Sequence, residues 1–103
     1  MFKINGVIWQ IYLVDPYHPM LLKPDKTFSV GACDRETQGI YINDMLDDWF
    51  FKRVLCHDIV HAAIFSYNII LDNETEEFIA ELIAKYVEEI IDITNSIFSK
   101  LSS

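Results

Sequence analysis

Residues 55–65 read LCHDIVHAAIF and form the centre of a longer run, 45–67, that contains neither proline nor glycine. Asn43 or Asp44 can cap the start of this run, so we predict a helix over 45–67. At 100° per residue, apolar side chains fall on nearly every side of that helix, which is typical of a helix buried in a core. The sequence therefore predicts a buried helix that carries two histidines and an aspartate.

Upstream of this helix, short apolar runs predict a small sheet. Residues 7–14, VIWQIYLV, are β-branched and aromatic and indicate a strand. Residues 27–33 and 39–43 are two further runs joined by DRETQ, and they predict an antiparallel hairpin. The segment 15–27 carries all three prolines, so we expect a loop there, with one short helical turn around residues 20–22.

Downstream, the apolar residues of the segment 74–98 repeat every 3.6 residues, with Glu and Lys on the other face, and predict a second helix. The fold class expected from these elements is α+β, in which a small antiparallel sheet of about three strands is followed by two helices. With 103 residues, the chain is predicted to be one domain, 1–103. Residues 1–44 form its sheet region, and the helices cover 45–67 and 74–98.

Composition excludes several classes of function. The hydrophobic fraction of 51% is sufficient for a core, and the net charge of −8 argues against a nucleic-acid partner, because phosphate neutralisation needs clustered Lys and Arg. No stretch approaches the ~20 apolar residues of a membrane span, and the N-terminus lacks the form of a signal peptide, so we expect a cytoplasmic protein without a membrane partner. The two cysteines form no C-x-x-C pair and are interpreted as reduced core residues.

The two histidines of the central helix have a metal-ligand spacing. His57 and His61 are four residues apart, which places both imidazoles on one helix face, close enough to share one ion. Two histidines and Asp58 on a buried helix would carry a desolvation cost unless a partner satisfies them. A Zn²⁺ ion would do so. The structural alternative is a pair of histidines bonded to backbone carbonyls.

Catalytic zinc usually takes three protein ligands and a water, so a third ligand is needed. Glu76 lies at the start of the second helix and flanks its apolar face, whereas Glu77 is expected to point the opposite way and Glu81 to lie off that face. We therefore choose Glu76. The structural alternative is a capping box, in which the Glu76 side chain bonds the backbone amide of Asn73. His18 lies in the proline-rich loop and is less well placed.

These segments together resemble the ImmA/IrrE-type zinc metallopeptidases, and in particular their short relatives encoded by phages and mobile elements. The resemblance is carried by GIYIN, VLCHDIVHAAI and ETEEFIAELIA and covers roughly residues 28–90, although only the H-x-x-x-H core is specific. In that family the two histidines of H-E-x-x-H and a downstream glutamate bind zinc. The resemblance implies that His57, His61 and Glu76 are ligands, with Glu77 as the alternative because the local alignment can slide by one residue.

The sequence departs from the family at Asp58, which occupies the place of the glutamate that acts as general base. The resemblance implies that Asp58 would be the catalytic residue and would orient or deprotonate the attacking water. Aspartate has the right acid–base chemistry. Its carboxylate is one methylene, ~1.5 Å, shorter, and misplacement by about 1 Å can cost on the order of a hundredfold in rate. The resemblance implies peptidase cleavage of a protein such as a repressor-like regulator. Whether this chain has that activity depends on whether Asp58 can replace the glutamate.

The strand before the metal helix is a candidate substrate platform. In zincins generally an extended substrate pairs with a sheet edge through main-chain hydrogen bonds, so Ile40, Tyr41 and Ile42 are predicted to form such an edge strand. The structural alternative is that Ile40 and Ile42 simply face the core.

Two other functions remain open. One is a non-catalytic, zincin-like module that captures a regulatory protein, for which the acidic surface would suit a basic partner. The other interprets His57-Asp58 as the HD doublet of metal-dependent phosphohydrolases. That class needs a helical histidine upstream and a further aspartate downstream, and here only His18, in a loop, and Asp72 or Asp92 could serve.

Overall fold

The computed structural model describes residues 1–102 and confirms the α+β class, with a sheet followed by two helices. Its elements in chain order are β1 (Phe2–Ile4), β2 (Val7–Val14), a 3-10 turn (Pro19–Leu21), β3 (Gly31–Asp34), β4 (Gly39–Asn43), α1 (Asp48–Ser66) and α2 (Asn73–Leu101). The strand β1 was not expected. It pairs with β2 through a two-residue turn at Asn5-Gly6, where both residues have positive φ, and the Asn-Gly dipeptide favours that turn.

The sheet has four strands in the order β1-β2-β4-β3. The predicted hairpin is present, because β3 and β4 pair antiparallel, with Gly31 opposite Ile42. The pairing of β2 with β4 is parallel, so the sheet is mixed rather than antiparallel throughout. The physical reason is the connection: the chain leaves β2 through the proline-rich loop, runs along β3 at the sheet edge, and returns in β4 beside β2.

This topology corrects one expectation. Residues 40–42 belong to β4, which is hydrogen-bonded on both sides, so the prediction that they form an edge strand is wrong. The side chains of Ile40 and Ile42 have no exposed surface and lie in the core with Trp9, Val54 and Ala62. The sheet edge nearest to the helices is β3 instead, because β3 packs against α1.

Helix α1 is anchored at both ends by polar contacts. At its start the Asp47 carboxylate accepts a hydrogen bond from the Phe50 amide at 2.8 Å. The cap of α1 is therefore Asp47, three residues after Asp44, which was the later of the two predicted caps. The Asn43 side chain accepts instead from the Met45 amide in the preceding turn. At its end the buried Trp9 indole donates to the Ser66 hydroxyl at 2.8 Å, which ties α1 to the sheet.

Helix α2 begins at Asn73 and is capped by Asp72, whose carboxylate accepts from the Thr75 amide at 2.8 Å. Because Asp72 is the cap, the capping box between Asn73 and Glu76, which was the structural alternative to a ligand role, does not form, and the Glu76 side chain reaches His61 of α1. The helix runs antiparallel to α1. None of the described helices is long and apolar enough to cross a membrane.

Candidate metal centre

The two histidines of α1 face α2. The Nε2 atoms of His57 and His61 lie 3.3 Å apart. His61 is buried and His57 is partly exposed, so the pair lies at the boundary between the core and a surface cleft. The i, i+4 spacing thus brings the two ring nitrogens together as expected for neighbours on one helix face.

Glu77 supplies a carboxylate to both nitrogens. Its Oε1 lies 3.0 Å from His61 Nε2, and its Oε2 lies 3.2 Å from His57 Nε2. Two donor atoms that are each about 2.05 Å from zinc at the tetrahedral angle lie about 3.3 Å apart. The separations of the three groups match that distance, and His57, His61 and Glu77 could therefore hold a metal ion.

Glu76 is placed differently from the ligand position expected of it. Its Oε2 lies 2.5 Å from His61 Nδ1, on the side of the imidazole away from Glu77. A carboxylate that bonds the second nitrogen of a metal-binding histidine fixes the tautomer and the orientation of the ring. Glu81 lies similarly towards His57, with its Oε2 3.5 Å from His57 Nδ1. The first third of α2 thus directs three carboxylates at the two imidazoles.

The sequence contained a signal for this arrangement. Glu77 and Glu81 are four residues apart, as are His57 and His61, so each pair lies on one face of its own helix. Helical periodicity puts Glu77 outside the apolar face of α2. The prediction of Glu76 depends on the assumption that only this apolar face is directed at α1. In the structure Glu77, at the border of the apolar face of α2, also contacts the two histidines. Its side chain is nevertheless 63% exposed.

Asp58 lies beneath the cleft and is 4% exposed. Its Oδ2 is buried and, within residues 1–102, has no hydrogen-bond partner. The pKa of Asp58 is raised to about 7, chiefly by burial; His61 lowers it and Glu77 raises it, both by less than burial does. The carboxylate packs against β3 at Gly31, where an added Cβ would collide with Asp58 Oδ2 and would lie 2.6 Å from Val54 Cγ1.

A cleft of about 630 Å³ opens over these residues. One wall is β3 with the residues just before it, and the other is formed by α1 and the start of α2. Apolar side chains in the wall include Phe50 and Phe65, and the cations Lys23 and Arg53 also line the cleft. The free edge of the sheet, the two histidines and Asp58 therefore share one cavity.

The residues that an HD-type site would need are used elsewhere. The Nδ1 of His18 accepts from the Met20 amide at 3.1 Å, and its ring stacks on Tyr41. Asp72 caps α2, and Asp92 lies about five and a half turns further along that helix. In the described part of the chain none of these three joins the metal-binding group.

Comparison of the chain with protein-family models, with curated protein sequences and with solved structures found no match in any of the three. Function is therefore inferred from the site itself and from the motif that it carries.

Proposed function

We propose that this protein is a zinc-dependent metallopeptidase that acts on a polypeptide substrate. The observation that carries the proposal is the group of His57 Nε2, His61 Nε2 and the Glu77 carboxylate, which lie 3.0–3.3 Å from one another in a cleft beside a free sheet edge. This proposal replaces Glu76 with Glu77 as the third ligand and gives Glu76 the role of orienting His61.

The donor set fits zinc in type and in charge. Two imidazole nitrogens and one carboxylate are the protein ligands of one common class of catalytic zinc site, in which a fourth position stays open. Glu76, Glu77 and Glu81 concentrate negative charge around the two imidazoles, which a divalent cation would offset. When bound there, zinc would polarise the scissile carbonyl and lower the pKa of the attacking water.

Asp58 is suited to the proton transfers. In the zinc-free protein burial is the main cause that raises the pKa of Asp58 to about 7, and a bound divalent cation would lower it, so that Asp58 would be deprotonated at neutral pH. Its deprotonated carboxylate would accept the proton of the attacking water and then return it to the leaving amine. The unpartnered Oδ2 is a polar atom that a water or a substrate group could satisfy. Because Gly31 has no side chain, the Asp58 carboxylate fits against β3, and little space is left between them.

The edge of β3 offers a binding platform for an extended substrate. Gly31, Ala32 and Cys33 line the cleft, and β3 is paired with β4 on one side only. The backbone groups on the other side can pair with a peptide strand, which would place one of its carbonyls over the histidines. The expected substrate is a protein, such as a regulator with an exposed extended segment.

A second function is favoured by Asp58 itself. Its carboxylate is buried against Gly31 and is one methylene shorter than the glutamate of the H-E-x-x-H motif. A base held short of the attacking water gives little turnover, so a zinc-stabilised module that captures a protein without cleaving it is the alternative.

The test is elemental analysis of the full, untagged chain, followed by proteolysis of an unfolded protein substrate such as denatured casein. We expect about one zinc per chain, which His57→Ala removes and the exposed-site control Glu36→Gln retains. We expect turnover that Asp58→Asn abolishes. Zinc binding without turnover in both the wild type and Asp58→Glu would favour the capture module. Absence of zinc after incubation with the metal would overturn both functions.

A further inference from the structure

The second half of α2 extends beyond the rest of the molecule. Near the start of α1, Lys52 forms an ion pair with Glu88, and from Glu88 to Leu101 every residue of α2 is exposed. We call residues 88–101 the α2 overhang. At 1.5 Å per residue it is about 20 Å long.

The overhang is strongly amphipathic. At 100° per residue, its large apolar side chains and Thr94 fall within a sector of about 160°; these side chains are Ile90, Ile91, Ile93, Ile97, Phe98 and Leu101. The remaining residues occupy the opposite sector and are all polar or charged. The apolar sector continues the direction of Ala80, Ile83 and Val87, which face α1 in the first half of the helix. Within residues 1–102, the core-facing stripe of α2 thus continues for about four turns with no element covering it.

Thr94 fits this apolar sector. Its hydroxyl donates to the Ile90 carbonyl at 2.7 Å, so the polar atom is satisfied within the helix. The methyl group is then left to face outwards with its apolar neighbours. The stripe is therefore apolar without interruption from Ile90 to Leu101.

We propose that the α2 overhang pairs with the overhang of a second copy of this chain, in antiparallel orientation. The six large apolar residues are on average about 60% exposed, which at about 200 Å² per residue is roughly 700 Å² per chain, close to the ~800 Å² per partner of a standard interface. A heptad pattern runs through Ile90, Thr94, Ile97 and Leu101, which is the spacing of helices that pack side by side.

The orientation follows from the position of α1. Helix α1 packs on the face of α2 that the apolar stripe continues, up to the ion pair between Lys52 and Glu88. Parallel pairing would bring the first half of the partner's α2 into the place of α1, whereas antiparallel pairing puts the two domains at opposite ends and also opposes the two helix dipoles. With the two-fold axis between residues 95 and 96, Ile90 packs on the partner's Leu101 and Thr94 on the partner's Ile97.

The test is sedimentation equilibrium of the full chain between about 1 and 500 μM. We expect the mass to rise from 12.0 kDa to twice that value. Ile97→Glu should weaken the dimer at least about tenfold, because it places a charge in the apolar stripe. Ser96→Glu adds the same charge on the polar side and should leave the dimer unchanged. Circular dichroism and zinc content check that both variants are folded.

A second pair of variants gives an independent readout. Phe98→Glu places a charge in the apolar stripe and should also weaken the dimer, whereas Ser99→Glu adds the same charge on the polar side and should not. A chain that stays monomeric at 500 μM, or a dimer that Ile97→Glu and Ser96→Glu affect equally, would overturn the proposal. A monomer that sediments with phosphatidylcholine–phosphatidylglycerol vesicles would assign the stripe to lipid and would also overturn it.

Discussion

His61 lies between two carboxylates, with its Nδ1 2.5 Å from Glu76 and its Nε2 3.0 Å from Glu77. In a neutral imidazole one nitrogen donates and the other accepts. Donation from Nδ1 to Glu76 leaves the lone pair of Nε2 directed at the cleft, which is the form that binds a metal ion. Two adjacent glutamates of α2 therefore have different roles towards one ring.

The two glutamates should differ in their effect on zinc affinity. Glu77→Ala removes a proposed ligand and should abolish stoichiometric zinc binding. Glu76→Gln leaves the ligands in place and removes the charge behind His61, so we expect a loss of about 10–100-fold in affinity. Competition with a chromophoric chelator measures both, and Glu74→Ala, on the exposed first turn of α2, is the control. A larger loss for Glu76→Gln than for Glu77→Ala would exchange the two roles.

Asp58 should make the stability of the zinc-free protein depend on pH. Burial raises the pKa of Asp58 to about 7, whereas in the unfolded chain it stays near 3.8. Between these values the folded state holds a proton that the unfolded state has released. The free energy of unfolding should therefore fall as pH rises from about 4 to about 7, by a few kcal/mol at most.

Urea unfolding of the zinc-free protein at several pH values measures this dependence, with Asp58→Asn as the matched variant. The variant cannot titrate at this position, so its stability should fall less over the same interval. Parallel curves for the two proteins would show that Asp58 titrates normally in the folded state.

Gly31 should be intolerant of a side chain. A Cβ at this position would lie 2.6 Å from Val54 Cγ1 and would collide with the Asp58 carboxylate, so Gly31→Ala should cost about 1–3 kcal/mol. Thermal unfolding measures the loss, and Ala32→Ser, at the adjacent position, is the control. If the contact with Asp58 is responsible, the cost should be smaller in an Asp58→Ala background. Equal costs in both backgrounds would assign the strain to Val54.

The bond between Trp9 and Ser66 should stabilise the fold without affecting the site. Trp9 is 1% exposed and its indole donates to the Ser66 hydroxyl, so Ser66→Ala leaves a buried donor without a partner, at a cost of about 1–3 kcal/mol. Chemical unfolding measures this loss, and Ser96→Ala on the exposed overhang should show none. Zinc affinity of Ser66→Ala should equal that of the wild type. A change in zinc affinity would mean that the end of α1 is coupled to the histidines.

Local sequence determined most of the elements of this protein, although not β1, and it also determined the histidine pair. The β-branched run VIWQIYLV forms β2 over the predicted residues, and the helical period places His57 and His61 on one face of α1. These features depend on backbone preferences and on contacts within a few residues, which a sequence pattern contains directly.

Tertiary structure decided how the elements meet. The central position of β4 depends on its parallel pairing with β2, which joins residues about 30 positions apart and leaves no local signal. The choice between Glu76 and Glu77 depends on how α2 lies against α1. Adjacent helical residues differ by about 100° in direction, so the rotation of α2 about its axis decides which of the two carboxylates reaches the Nε2 atoms and which lies behind His61. That rotation is set by side-chain packing between the two helices, and no spacing within α2 alone determines it.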